Sequence, residues 1–163
     1  MSADASVGVM PAPLIFETMG TVVTLVTNVP LDDATAEAVK AAFSALDDRF
    51  SLYKPESEAS QVGHGRVGVR TASAEYQEVY WAAVTWSEAT DRAFTPHRPD
   101  GVIDLSGVVK ARGIQAAADA LSAHGHTDWC LNAGGDVLVA GAQASGEPWV
   151  VGIVDPDDRT VLW

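Results

Sequence analysis

The predicted strands of this chain lie near its two ends, and predicted helices and loops occupy the sequence between them. Near the start, residues 14–16 and 21–27 are rich in β-branched side chains, and Thr and Val alternate in the second run. Near the end, residues 129–131, 137–139 and 149–154 have the same strand-forming character. Because β-branched residues favour strands, both groups are expected to contribute to a sheet. This arrangement predicts an α+β domain in which mixed or antiparallel strands pack against about three helices.

Three segments between the predicted strands have helical character. The first is Ala-rich, spans residues 32–50 and begins with two aspartates, which favour the positive end of a helix. A second helix is predicted over 73–91 with Ser73 as its N-cap. A third is predicted over 108–123, and Gly125 follows at the position where glycine often ends a helix.

Prolines and glycines mark the predicted connections. Residues 50–60 end the first helix and become a polar loop, in which Pro55 prevents the helix from continuing. Residues 93–101 form a second loop, which contains two prolines. A short strand is predicted at 102–105. Residues 132–136, Asn-Ala-Gly-Gly-Asp, have the composition of a hairpin turn between two strands.

Composition predicts one soluble domain and argues against several functions. The chain has 163 residues, of which 47% are hydrophobic, and a mean hydropathy of +0.08. Its formal charge of −12 disfavours binding to nucleic acid or to anionic membranes. The lone Cys130 excludes an intramolecular disulfide and a cysteine-rich zinc site. With no signal-peptide pattern and no long apolar segment, a cytoplasmic protein is expected.

The start of the third predicted helix is a candidate binding site. Asp104 lies near the end of the short predicted strand, a Ser-Gly turn follows, and Lys110 lies near the helix start. Helix N-termini present N–H groups and a positive dipole end that suit phosphate oxygens, and Lys110 would add a point charge. The carbonyl of Gly107 could bind a hard cation. The alternative is a capped helix whose exposed Lys110 pairs with Asp104.

Other features also have structural explanations. The glycines of 132–136 suit a close approach to a ligand, but an isolated pair of glycines is more often a tight turn. Residues 19–21, Met-Gly-Thr, indicate by themselves a turn or a β-bulge. Trp81 and Trp86 are predicted to pack in the core or between domains.

Taken together, the segments form an ordered set that resembles a known family. The resemblance is to the ApbE-like FAD:protein FMN transferases and covers about residues 14 to 158. The motifs are individually unspecific, and their common order carries the resemblance. In chain order they are residues 17–21, 50–60, 93–96, 104–110, 132–136 and 148–156.

The resemblance implies an activity and a set of site residues. Such proteins bind FAD, use magnesium to cleave its pyrophosphate, and transfer FMN to a Ser or Thr hydroxyl of an acceptor protein, with release of AMP. The turn at 132–136 would line the same cleft. By resemblance, the residues that contact FAD would be Met19, Tyr53, Ala93, Phe94, Thr95, Asp104 and Lys110, and the backbone oxygen of Gly107 would ligate magnesium.

The sequence also departs from the family pattern. Thr95 and Gln115 stand where the family has acidic residues, and Glu17-Thr18 replaces a common histidine. Residues 110–113, Lys-Ala-Arg-Gly, replace a usual Lys-Gly-aromatic run. Family members continue beyond the position of Trp163, into a part that carries further magnesium ligands.

The domain organisation expected from this resemblance is a flexible tail at residues 1–12 and a C-terminally shortened family domain at 13–163. Two alternatives to the transferase remain open. One is a catalytically degenerate FAD-binding module, which the missing ligands and the changed acids would favour. The other is a structural or interaction domain that binds no ligand.

Overall fold

The chain forms a four-stranded sheet covered by helices in the computed structural model, which describes residues 10–155, 157, 158 and 160. The predicted α+β class with antiparallel strands is confirmed. The elements in chain order are β1 (Leu14–Thr18), β2 (Thr21–Thr27), α1 (Asp33–Phe50), α2 (Glu58–Gly63), a 3₁₀ turn (Val69–Thr71), α3 (Ala74–Ala89), α4 (Ser106–Ala123), β3 (Trp129–Ala133) and β4 (Asp136–Ala140).

The sheet joins the two ends of the sequence. Its strand order is β1-β2-β3-β4, and every neighbouring pair is antiparallel. The central pairing is between β2 and β3, where Thr24 is opposite Asn132. Val23, Leu25 and Leu131 are fully or almost fully buried, because alternate residues of these strands point to the helix-covered face.

Helices α1 and α4 pack against each other and against this face of the sheet. Phe43 of α1 is fully buried at their contact, and its ring meets that of Phe16 edge-on at a centroid distance of 5.7 Å. Gly113 of α4 makes the close approach possible. A Cβ at this position would lie 2.8 Å from Cδ1 of Phe43, which is too close for unstrained packing.

A second core cluster lies between the C-terminal half of α1, the helices α2 and α3, and the start of α4. A polar network at its edge is centred on Glu58 of α2. The Glu58 carboxylate accepts hydrogen bonds from Ser73 N (2.5 Å), Ser73 Oγ (2.7 Å) and Arg49 Nη1 (3.3 Å). Ser73 also caps α3 by accepting a hydrogen bond from Tyr76 N at 3.2 Å. The network therefore ties α1, α2 and the start of α3 together.

The Glu58 network predicts an acid-dependent loss of stability. Burial raises the pKa of the Glu58 carboxyl, but hydrogen bonds from Ser73 and the Arg49 guanidinium outweigh it and hold the pKa below its ordinary value of 4.5. Because the pKa of Glu58 is lower in the folded than in the unfolded state, the ionised carboxylate stabilises the fold at pH values above 4.5. That contribution is lost as the pH falls from 4.5 through the folded-state pKa.

Glu58→Gln is accordingly expected to lower the free energy of unfolding at pH 7 by about 1–3 kcal/mol, because it weakens charge-assisted hydrogen bonds. Its stability should also fall less steeply than that of the wild type below pH 4.5. Urea denaturation at a series of pH values measures both effects, and the exposed Glu56→Gln is the matched control. Equal acid slopes in Glu58→Gln and the wild type would contradict this account of the network.

Several local predictions need correction. Residues 102–105 form no strand but a single bridge between His97 and Ile103, and α4 begins at Ser106, two residues earlier than predicted. The predicted loop at 50–60 contains the start of α2, whose N-cap Ser57 accepts a hydrogen bond from Ser60 N at 3.0 Å.

The predicted strand at 149–154 is also wrong. This segment has no extended pairing among the described residues, beyond one bridge residue at Val154. Trp149 Nε1 donates a hydrogen bond to Ala140 O at 2.9 Å, while Val150 and Ile153 are largely exposed. Residues 1–9 of the predicted tail and residues 161–163 at the other end of the chain lie outside the described residues.

Candidate functional site

A cavity of about 650 Å³ lies where the β1–β2 turn, the end of α1, the loop after it and the start of α4 meet. It brings together five predicted site residues that are far apart in sequence. These residues are Met19, Tyr53, Asp104, Gly107 and Lys110. The cavity is also lined by Asp47, Arg98 and Ser106, so both signs of charge are present on its walls.

Met19 reaches the cavity through an unusual backbone conformation. Met19 and Gly20 form the two-residue turn between β1 and β2, with φ values of +51° and +70°. Positive φ at both positions is typical of type I′ hairpins, but a non-glycine residue there costs about 1–2 kcal/mol. The half-buried Met19 side chain packs against both core clusters as well as lining the cavity. The strained turn therefore fixes an apolar side chain at the junction of the two cores.

Tyr53 is presented to solvent by a well-anchored loop. Its side chain is 96% exposed, although the loop around it is held at several points. Lys54 forms ion pairs with Asp47 and with Asp48 (2.7 Å) on α1, and hydrogen bonds to these carboxylates raise the pKa of Lys54. Ser57 Oγ donates a hydrogen bond to Ser51 O at 2.5 Å. A flat, exposed ring on a fixed loop suits stacking against a planar ligand.

Asp104 organises the start of α4. Its Oδ1 accepts a hydrogen bond from Ser106 N at 3.0 Å, and its own N–H donates to Pro96 O at 2.8 Å. The residue at the N-cap position, Leu105, provides no side-chain cap. Asp104 therefore satisfies one N–H at the helix start and holds the preceding loop beside the cavity.

Lys110 forms an ion pair that differs from the predicted one. Its ammonium lies 2.9 Å from Oδ2 of Asp136, rather than being paired with Asp104. Asp136 is the last residue of the predicted hairpin turn at 132–136, which the structure confirms as the β3–β4 connection. The turn is seated against β2, because Gly134 N donates to Val22 O at 3.2 Å. The turn therefore reaches the cavity through Asp136 and Lys110.

The loop residues Ala93, Phe94 and Thr95 are not among the residues that line this cavity. The Phe94 ring lies so close to Gly107 that a Cβ there would be 2.6 Å from Cε2. Thr95 Oγ1 accepts a hydrogen bond from His97 N at 3.2 Å within its own loop, and Ala93 is exposed. Their proposed contacts with a flavin stay predictions.

Trp81 and Trp86 are predicted to pack in the core or between domains, and the structure contradicts packing in the core. Each side chain is 59% exposed on α3. Trp86 and Phe94 line a separate apolar groove of about 470 Å³ between α3 and α4. Gly107 lines both this groove and the cavity, so only the start of α4 separates the two.

The described residues do not fit a complete magnesium site. Mg²⁺ prefers six oxygen ligands in octahedral geometry. No group of three histidine, cysteine, aspartate or glutamate side chains in the described part of the chain could hold a metal ion. The cavity carboxylates Asp47 and Asp104 are engaged by Lys54 and by Ser106 N. Metal ligation by Gly107 therefore stays a prediction.

Sequence reasoning did not single out Arg98 or Lys54 and did not identify the role of Asp136. Arg98 lines the cavity because its loop turns back on itself, with Arg98 N donating to Val102 O at 3.0 Å. Lys54 acts through Asp47, and Asp136 acts through Lys110. The pair of Lys110 and Asp136 joins α4 to β4, so no local spacing in the sequence would have indicated it.

Comparison with known proteins identifies the family. The sequence model of the ApbE family matches residues 19–98 and 97–162, which is most of the chain. The chain belongs to the ApbE family. A relative named FAD:protein FMN transferase, from Vibrio cholerae serotype O1, is 32% identical over 65 residues. That match covers 39% of this chain and 20% of the relative, so the matched region is about a fifth of the relative's length.

Solved structures show that the fold is the ApbE fold. The flavin transferase ApbE from Vibrio cholerae has a TM-score of 0.79 at 20% identity, covering 93% of this chain and 67% of that one. The apo form of the Pseudomonas stutzeri flavinyl transferase ApbE has a TM-score of 0.72 at 20% identity, covering 91% and 62%. The ApbE protein from Thermotoga maritima has a TM-score of 0.70 at 21% identity, covering 89% and 63%. Among the described residues, no helix is both long and apolar enough to span a membrane.

Proposed function

We propose that this ApbE-family chain binds FAD in the 650 Å³ cavity as part of a FAD:protein FMN transferase. The observation that carries the proposal is the convergence of Met19, Tyr53, Asp104, Gly107 and Lys110 on that single cavity. Relatives named as flavin transferases share the fold and support the same assignment.

In this proposal, the cavity residues bind and orient FAD. Tyr53 offers an exposed ring face for stacking. Lys110 and the start of α4 supply positive charge and dipole toward the diphosphate. Phosphoryl transfer depends mainly on positioning and charge neutralisation. These residues would therefore position the diphosphate of FAD and offset part of its negative charge.

The proposed overall reaction transfers FMN to an acceptor protein. The oxygen of an acceptor Ser or Thr hydroxyl forms a bond to the FMN phosphorus, and the bond from that phosphorus to the AMP phosphate oxygen breaks. AMP leaves, and the hydroxyl proton passes to water. Magnesium would neutralise phosphate charge during this reaction. The described residues alone do not fit a complete site for this ion.

The lack of a complete magnesium site among the described residues favours a second candidate, an FAD-binding module without transferase activity. The two candidates are separated by incubating the purified chain with FAD, Mg²⁺ and an acceptor protein. Release of AMP and a covalently fluorescent acceptor band are expected for the transferase. FAD affinity that is unchanged by EDTA, together with no AMP release, would contradict transfer and support the binding module.

Tyr53→Ala is expected to weaken FAD binding about fivefold, because the variant loses the face on which the flavin or adenine ring stacks. Tyr53→Phe should retain most of the affinity, since it keeps the ring. Quenching of flavin fluorescence in an equilibrium titration measures both. Trp81→Ala removes an exposed aromatic side chain outside the cavity and is the control. Equal losses in Tyr53→Ala and Trp81→Ala would exclude stacking at Tyr53.

A further inference from the structure

We infer that Arg98 is a second diphosphate-binding cation of the cavity, and that a bound diphosphate replaces Asp100 as its ion-pair partner. This inference rests on the proposed FAD-binding function and assigns a role to a residue outside the family motifs. Among the described residues that line the cavity, the positively charged ones are Arg98 and Lys110. They come from two separate elements, the 93–105 loop and α4.

A compact turn places Arg98 at the cavity. Arg98 N donates to Val102 O and Gly101 N donates to Arg98 O, both at 3.0 Å. The bridge between His97 and Ile103 closes the base of this turn. Asp104 follows directly and holds the loop through its bond to Pro96 O. The position of Arg98 is therefore coupled to the start of α4.

Charge pairing follows the same pattern at both cavity cations. Arg98 Nη2 lies 2.9 Å from Oδ2 of Asp100, as Lys110 Nζ lies 2.9 Å from Oδ2 of Asp136. Neither Asp100 nor Asp136 lines the cavity. Each cation is thus paired with a carboxylate beside the cavity rather than within it.

These ion pairs are weak enough to be exchanged for a ligand. The side chains of Arg98 and Asp100 are 49% and 51% exposed, and exposed ion pairs contribute little to stability. A diphosphate carries more charge than one carboxylate and offers several oxygens to the planar guanidinium fork. On a chain with a formal charge of −12, a second cation would offset the repulsion of an anionic ligand.

The test uses two variants that should change affinity in opposite directions. Arg98→Gln is expected to weaken binding of FAD and of ADP about fivefold, because it removes a charge-assisted contact from a half-exposed site. Riboflavin carries no phosphate, so its affinity should not change. Asp100→Asn should tighten FAD binding about twofold to threefold, because it releases Arg98 from a competing ion pair.

The Asp100→Asn variant removes the negative charge of Asp100 while the turn can keep its hydrogen bonds. The Oδ1 of Asp100 accepts a hydrogen bond from Val102 N at 3.1 Å, and an asparagine side chain can keep that bond. Arg112→Gln is the control for loss of an arginine, since Arg112 pairs with Glu78 at 2.9 Å and does not line the cavity. Thermal unfolding of each variant checks that the fold is retained.

The outcomes separate this inference from the function on which it rests. Weakened binding in both Arg98→Gln and Asp100→Asn, or an equal loss of riboflavin affinity, would overturn the inference and indicate a structural role for the turn. FAD binding that is unaffected by either variant would also overturn it while leaving the proposed function intact. If the wild type fails to bind FAD, the proposed function fails, and titration with inorganic pyrophosphate decides the inference. Binding that depends on Arg98 would support it, and no binding would overturn it.

Discussion

Replacing Lys110 with methionine is expected to weaken FAD binding by about tenfold to a hundredfold, the largest functional effect of any single change in the cavity. The variant removes an ammonium group that lines the cavity. It also leaves the Asp136 carboxylate, 2.9 Å from that ammonium in the wild type, beside the cavity without its ion-pair partner. Both changes disfavour an anionic ligand, and an equilibrium titration monitored by flavin fluorescence measures the combined loss.

A double-mutant cycle separates the two contributions. Lys110→Met combined with Asp136→Asn should recover part of the affinity, because the uncovered carboxylate is then neutral. Lys110→Arg should keep most of the affinity because the positive charge remains. Lys40→Met changes a surface lysine that pairs with Glu37 on α1 and is the matched control. An affinity of Lys110→Met within twofold of the wild type would exclude Lys110 from diphosphate binding.

The largest expected loss of stability comes from Phe43→Ala. Removal of this fully buried ring should lower the free energy of unfolding by about 3–5 kcal/mol, as is typical of large cavities in protein cores. The ring contacts Phe16 edge-on and lies against Gly113, where a larger residue would not fit. The ring packs between α1, α4 and the sheet, so these elements cannot easily move together to fill the cavity that its removal leaves.

Urea denaturation measures this effect, and Phe43→Leu is the comparison. Leucine keeps much of the apolar volume, so its cost should stay below about 1.5 kcal/mol. A loss of less than about 1 kcal/mol in Phe43→Ala would show that α1 and α4 do not depend on the contact between Phe43 and Gly113.

Much of the fold could be predicted because its signals are local. Ser73 caps α3, as predicted from its position in the sequence. Asp32, one of the two acids predicted at the start of α1, caps that helix by accepting a hydrogen bond from Thr35 N at 2.7 Å. The glycines of the 132–136 turn and Gly125 have positive φ, as expected for the turn and the helix end predicted at these positions. In each case a residue and its partner are separated by only a few positions.

The errors arose where tertiary context decides the outcome. The strand predicted at 149–154 has strand-forming residues, but extended pairing needs a neighbouring strand, and none pairs along it in the described ranges. Trp81 and Trp86 follow the apolar composition of α3 but remain exposed. Composition alone could not tell which face of this helix is covered.

The candidate site was predictable only in part, for a related reason. The ordered motifs predicted residues that the fold brings to one cavity, including Met19 and Tyr53. They did not predict that Lys110 pairs with Asp136, since the partner lies on a different element. Arg98 belongs to no recognised motif, and only the turn that returns at Val102 places it on the cavity wall.

The most direct test of the proposed FAD site is a two-dimensional NMR titration of the isotopically labelled chain with FAD. Saturable shifts are expected at the backbone amides of Met19, Tyr53, Gly107 and Lys110, which approach the cavity from three separate segments. Shifts that are absent, or that are confined to the groove lined by Trp86 and Ala111, would contradict the assignment of the cavity as the flavin site.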